Sequence, residues 1–175
     1  MATPGVEGGP VPAPGTYEIE PAASMIRFET RALFGLLPVR GTFTIEHGRI
    51  TVSEAAEEPT VDVVIQAASF ESGNQQRDDH VRSADYLDAA THPEITFCSP
   101  RLESSVMGAV LDGRLTVQGN TGKVAVALES VAFDGQRITA RGIATIDRYA
   151  FGVTKAKGMT GRYLKIVTDV TAKLL

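Results

Sequence analysis

The 175-residue chain, 43% of it hydrophobic, is long enough to bury one sizeable core and short enough to do so as a single domain. Its 17 basic and 21 acidic residues are interspersed to a formal net charge of −4, which gives no extended positive field for a nucleic-acid backbone or an anionic membrane. One cysteine, Cys98, rules out an intramolecular disulfide and reads as a half-buried strand residue, and no run approaches the roughly 20 apolar residues of a membrane span.

Residues 1–14 are dense in Pro and Gly and read as a flexible tail before a single domain over residues 15–175. This start has neither a basic region nor an apolar core of the secretory kind, so a cytoplasmic protein is the expectation. From Thr16 onward the pattern has period two, the signature of half-buried strands. Ile26, Phe28 and Thr30 oppose Arg27, Glu29 and Arg31; Val39, Gly41, Phe43 and Ile45 oppose Arg40, Thr42, Thr44 and Glu46. His47-Gly48 reads as a tight turn. Between these strands lies the apolar stretch 32–38, whose Gly35 and Pro38 break any regular strand, so that it either packs beneath another element or lines a cavity mouth.

Residues 60–68 form another strand, with Val61, Val63, Ile65 and Ala67 on one face. The polar stretch that follows breaks the pattern: Asn74 is placed to cap a helix over residues 75–82, with Asp78 and Arg82 one turn apart, and Ser83 to cap a further turn. Pro93 ends this helical crossover, around residues 74–90, and Ile95, Phe97 and Ser99 resume a strand. Leu111, Leu115 and Val117 lead to a turn at Gly119-Asn120-Thr121-Gly122, Val124, Val126 and Leu128 follow, and Asp134-Gly135 marks a second hairpin. Ile138, Ala140, Gly142, Ala144 and Ile146 share a face, as do Leu164, Ile166, Thr168, Val170, Ala172 and Leu174. About eight antiparallel strands with hairpin links predict an all-β, up-and-down barrel, and its many small inward residues predict a cavity rather than a solid core.

Six segments, spread in order along residues 17–174, resemble the YceI-like family of lipocalin-like, polyisoprenoid-binding bacterial proteins. Tyr17 with Ser24-Met25-Ile26-Arg27-Phe28, and Val39-Arg40-Gly41-Thr42-Phe43, are similar to its first strands, and the most distinctive likeness is the run Arg77-Asp78-Asp79-His80-Val81-Arg82-Ser83-Ala84-Asp85-Tyr86. His92-Pro93-Glu94-Ile95-Thr96-Phe97, Gly113-Arg114-Leu115-Thr116-Val117-Gln118-Gly119 and Asp147-Arg148-Tyr149-Ala150-Phe151-Gly152 complete it. The resemblance implies an eight-stranded lipocalin-like barrel around a long apolar channel, a short helix as lid or plug, and a lipid-like ligand, with no catalytic residue and no cofactor beyond that lipid. The chain departs from its relatives at Ala32 and at Leu37-Pro38, where they are usually more polar.

The candidate ligand-contacting residues are Phe28, Phe34, Phe43, Phe97 and Phe151, inward Ile65, Leu115 and Ile146, and the polar Arg77, His80 and Arg148. Arg77, Arg82 and Arg148 are the cations able to clamp an anionic head group. Three histidines without ligand spacing predict no metal site, and Asp78, Asp79, His80 and Ser83 lie too close in sequence to assemble nucleophile, base and acid. The resemblance implies a hydrophobic small-molecule partner, a long-chain isoprenoid or else a fatty acid or fatty amide, bound without catalysis; an enzyme acting on an isoprenoid inside the same barrel is the alternative. Neither nucleic acid nor stable membrane insertion is expected, and a homodimer is left open.

Overall fold

Alternation of apolar and polar residues gives each strand one face that must be buried, and here the sheet meets that demand by closing on itself. The computed structural model describes residues 11–54, 59–105 and 108–175; the first ten residues of the expected tail lie outside the described residues. Among the described residues the strands are β1 (Gly15–Ile19), β2 (Met25–Ala32), β3 (Leu37–Phe43), β4 (Ile45–Val52), β5 (Thr60–Gln66), β6 (Glu94–Ser105), β7 (Gly108–Val117), β8 (Asn120–Phe133), β9 (Arg137–Asp147) and β10 (Tyr163–Leu174), with one α-helix, α1 (Gln75–Arg82), between β5 and β6. Eight of them run β1-β4-β5-β6-β7-β8-β9-β10, and β10 returns to β1 through Tyr17–Leu174, Glu18–Lys173 and Ile19–Ala172, all pairings being antiparallel. The expected eight-stranded barrel is this closed ring.

The other two strands prolong it. The first long strand is broken by a 3-10 turn at Pro21–Ala23, where proline cannot donate to a ladder, and resumes as β2 alongside residues 165–169 of β10. The second is broken at Thr44, so that β3 pairs with β2 while β4 pairs with β1 and β5. The β2–β3 hairpin thus extends one wall of the barrel at the end that also carries α1, the β7–β8 turn and the loop before β10.

Several local expectations are corrected. His47-Gly48 is no turn but lies within β4, where the register shifts between Ile45 and His47. The irregularity moves the inward set from odd to even positions, and Gly48 is needed because a Cβ there would stand 2.6 Å from Ile19 and 2.8 Å from the Asp62 carbonyl. The β7–β8 hairpin turns on Gln118-Gly119, both with positive φ, and not on Gly119–Gly122; Val117 pairs with Asn120 across a two-residue loop. At Asp134-Gly135 the hairpin forms as expected, the Asp134 carboxylate accepting from the Gln136 and Arg137 amides.

Small inward residues do not all mean empty space. A methyl at Gly113 would stand 2.5 Å from the Phe97 ring and one at Gly122 3.0 Å from that of Phe151, while the Phe28 ring lies against Gly41. Rings laid on bare backbone fill what the missing side chains leave. Gly113→Ala is therefore expected to destabilise the fold by about 1–3 kcal/mol through overpacking. In urea unfolding the midpoint should fall with an unchanged slope; an unchanged midpoint would refute the ring-on-glycine account.

Candidate functional site

The interior holds two chambers in series. The larger, about 290 Å³, lies at the end carrying α1 and is lined by Phe28, Phe43, Ile65, Phe70, Leu115, Ile146 and Phe151 among others. The smaller, about 150 Å³, continues toward the opposite end between residues such as Ile50, Phe97, Leu111, Leu128 and Val170. Ile26, Ile65, Leu115, Ile146 and Ile166 line both, so one continuous apolar wall joins them.

The crossover covers the larger chamber. Asn74 caps α1 by accepting from the Arg77 amide at 3.0 Å, as its position predicts. Asp78 does not pair with Arg82: it is buried, and both its oxygens accept from the Ser72 amide, at 3.0 and 3.1 Å, which fastens the chain entering the helix. Arg82 instead reaches Asp79 at 3.2 Å and donates to the carbonyls of Ala68 and Phe70. Ser83 ends α1, its amide and hydroxyl both donating to the His80 carbonyl, and opens the expected further turn, its hydroxyl accepting from the Asp85 amide at 3.4 Å and its carbonyl from the Tyr86 amide at 3.0 Å. The buried faces of Val81, Tyr86 and Leu87 look into the chamber.

The charged side chains of the lining lie at this end; Thr168, in the smaller chamber, donates to the Gly142 carbonyl at 3.4 Å. Arg148 is only 4% exposed, and no carboxylate pairs with it among the described residues. Its Nε donates to the Gly161 carbonyl at 2.8 Å, Nη1 to Val153 at 2.9 Å and Nη2 to Thr160 at 3.0 Å, while the rings of Tyr149 and Tyr86 lie 4.9 and 5.9 Å from the guanidinium carbon. Its donors thus fasten the loop before β10, leaving it poorly placed to clamp an anion. The Tyr86 hydroxyl lies 3.0 Å from the Thr160 hydroxyl. His80 is exposed, its ring set edge-on to Tyr86 and its Nε2 2.9 Å from Asp85; that contact, first among the causes, holds the Asp85 carboxyl below its ordinary range. Arg77 is exposed at the rim.

Of the residues singled out in the sequence, Phe28, Phe43, Ile65, Arg77, His80, Leu115, Ile146, Arg148 and Phe151 line the larger chamber, and Phe97 lines the smaller. Phe34 does not: it is 75% exposed on the β2–β3 loop. Phe70 was missed, although its ring is buried 5.0 Å from Phe28 and 5.4 Å from Phe43. A 3-10 turn at Ala67–Ser69 shifts it off the period-two face of β5, so strand parity could not find it. Among the described residues no group of three His, Cys, Asp or Glu side chains converges to hold a metal.

Cys98 is exposed on the outer face of β6, not half-buried, because outward positions alternate with inward Phe97 and Ser99. Its neighbour Asp62 on β5, by hydrogen bond and then with desolvation and charge, pushes the thiol above its ordinary range. The thiolate fraction at neutral pH is correspondingly low, and Asp62→Asn should speed alkylation of Cys98 several-fold there; equal rates would refute the pairing. Arg148→Met should cost about 3 kcal/mol in urea unfolding by stranding three carbonyls in a largely buried loop, whereas a loss below about 0.5 kcal/mol would show that the guanidinium is not what holds it.

Comparison with known proteins agrees with this architecture. The family model of the YceI-like domain matches residues 17–173. UPF0312 proteins of Ectopseudomonas mendocina and Azotobacter vinelandii are each 29% identical over 137 residues, 74% of this chain and 72% and 71% of theirs. The crystal structure of BcnA from Burkholderia cenocepacia superposes with a TM-score of 0.76 at 25% identity, over 87% of this chain and 98% of that one. A polyisoprenoid binding domain from Saccharophagus degradans shares the fold with a TM-score of 0.66 at 14% identity, over 91% and 98%. With the barrel, the covering crossover and the family match over nearly its whole described length, the chain belongs to the YceI-like domain family.

Proposed function

We propose that the protein binds a long-chain polyisoprenoid or similar amphipathic lipid in its barrel, for storage or transport, without catalysing its conversion. The observation that carries this reading is the continuous apolar wall joining two chambers, with the ionisable side chains Arg77, His80 and Arg148 in the lining of the larger one alone. Such a shape suits a molecule that is apolar for most of its length and polar at one terminus. The name of the Saccharophagus domain, a polyisoprenoid binding domain, supports the same class of ligand.

Burial alone is a sufficient driving force. At roughly 0.8 kcal/mol per methylene, an isoprenoid of about twenty carbons gains about 16 kcal/mol before the costs of ordering, near the practical ceiling of non-covalent affinity. A ligand held with even half of that survives purification. Because Arg148 spends its donors on backbone carbonyls, the head group meets Arg77, His80 and the Tyr86–Thr160 hydroxyl pair at the rim. His80 faces Asp85, while the nearby Ser83 hydroxyl donates to a backbone carbonyl instead of to the imidazole, an arrangement suited to fastening the crossover rather than activating a nucleophile.

Mass spectrometry of an organic extract of gently purified protein should reveal a prenyl or other long-chain lipid in near-stoichiometric amount. Leu115→Phe, at the junction of the chambers, should reduce the recovered lipid about tenfold or shift it to shorter chains. A lipid-free extract, together with no uptake of added prenyl alcohol, would overturn the reading. Turnover of prenyl substrates that is lost in His80→Ala would replace it with an enzymatic one.

A further inference from the structure

The rim of the larger chamber combines two properties that the whole-chain composition hides. The first is exposed apolar surface: on the β2–β3 loop Phe34 and Leu36 are 75% and 79% exposed. The loop is held in this form. The Leu33 amide donates to the Met159 carbonyl at 2.7 Å and the Phe34 amide to that of Gly158 at 2.9 Å, while Leu33 and Phe34 both keep positive φ, which bulky residues rarely adopt. Two turns are thereby bound edge to edge, with their most apolar side chains facing solvent.

The second property is charge. Residues 30–45 and 148–168, which form these turns and the adjoining parts of β2, β3 and β10, hold seven of the chain's 17 basic residues and none of its 21 acidic ones, although Glu29, Glu46, Asp147 and Asp169 directly flank them. Among the described residues, Arg31 and Lys157 form no ion pair: Arg31 donates to the Gly35 carbonyl, and the Lys157 ammonium lies 5.2 Å over the Tyr149 ring. Three acids from neighbouring positions pair with these cations, Glu29 at 3.7 Å from Arg40, Asp147 at 2.9 Å from Arg162 and Asp85 at 3.9 Å from Lys155. Even so, Arg31 and Lys157 beside the exposed Phe34 and Leu36 give a chain of net charge −4 a locally basic, apolar-tipped end. Ala32 and Thr160, next in sequence to the exposed turns, line the larger chamber.

We propose that this rim docks on an anionic lipid bilayer, with Phe34 and Leu36 entering the headgroup boundary and Arg31 and Lys157 meeting lipid phosphates. Exposed aromatic and aliphatic side chains ringed by cations have the composition of interfacial anchors. A second copy of the chain is a worse occupant, since a two-fold contact would set two basic rims against each other. The inference deepens the carrier reading, because it orients the chamber toward the phase in which a long-chain lipid is dissolved.

The test is flotation of the purified protein with vesicles of phosphatidylcholine alone or mixed with phosphatidylglycerol, at low and high salt. The protein should float with the mixed vesicles, less so as salt rises. Phe34→Ser with Leu36→Ser should reduce flotation at least about tenfold, and each of Arg31→Glu and Lys157→Glu about fivefold. All four positions are exposed or at turns, and unchanged melting temperature and extracted lipid will show that the variants are folded and loaded. Absence of flotation, or flotation indifferent to both kinds of variant, overturns the proposal. So does a concentration-dependent dimer, seen by ultracentrifugation, that the serine variants abolish while vesicles go unbound. Lipid-free protein that still floats upholds the docking surface and removes only the carrier reading.

Discussion

The β1–β10 pairing is the constraint from which the rest follows. Once those three residue pairs close the ring, every ladder around it has two neighbours and no open edge of the eight strands remains to be protected. Backbone hydrogen bonding then fixes the shape of the wall independently of what fills it. A helical bundle with the same internal space would collapse onto it; a closed sheet does not, and that is how two chambers persist in a chain of 175 residues.

The two ends of the ring are built differently. The end carrying Asp134-Gly135 is finished by a short hairpin tied by its own carboxylate. At the other end the chain spends its irregular segments: the crossover with α1, the loop held by Arg148 and the β2–β3 extension. Two buried charged groups organise them without pairing to each other, Asp78 on the amide of Ser72 and Arg148 on three carbonyls. Each saturates backbone groups that a loop crossing the mouth would otherwise leave stranded. The polar motif 77–86 is thus largely spent on fastening the crossover, with Arg77 and His80 left at the rim of the larger chamber.

Strand faces were legible in the sequence because a sheet buried on one side enforces period two, and from β5 to β10 the inward sets follow directly. The capping Asn74 and the limits of α1 were legible for the same local reason. What escaped reading were departures from strict parity. The irregularity at Ile45–His47 disguised a close approach as a turn, and the 3-10 turn before Phe70 hid a core aromatic. Nor does sequence say whether a buried arginine will meet a ligand or a loop; Arg148 is settled by carbonyls 5 to 13 positions away. Phe34 was misjudged because hydrophobicity alone predicts burial, whereas the positive φ at Leu33 and Phe34 belongs to a loop pinned open by Gly158 and Met159.

The rings of Phe28, Phe97 and Phe151, each lying against a glycine of a neighbouring strand, set the bore of the barrel one aromatic at a time. Beneath each ring there is only backbone, so a smaller residue in its place widens the lumen locally without moving a strand or exposing a second layer of side chains. Barrels of identical strand number and register can therefore differ in the girth of what they admit through substitution at a single position, and the glycine, rather than the aromatic, is the member of each pair that the scaffold cannot exchange.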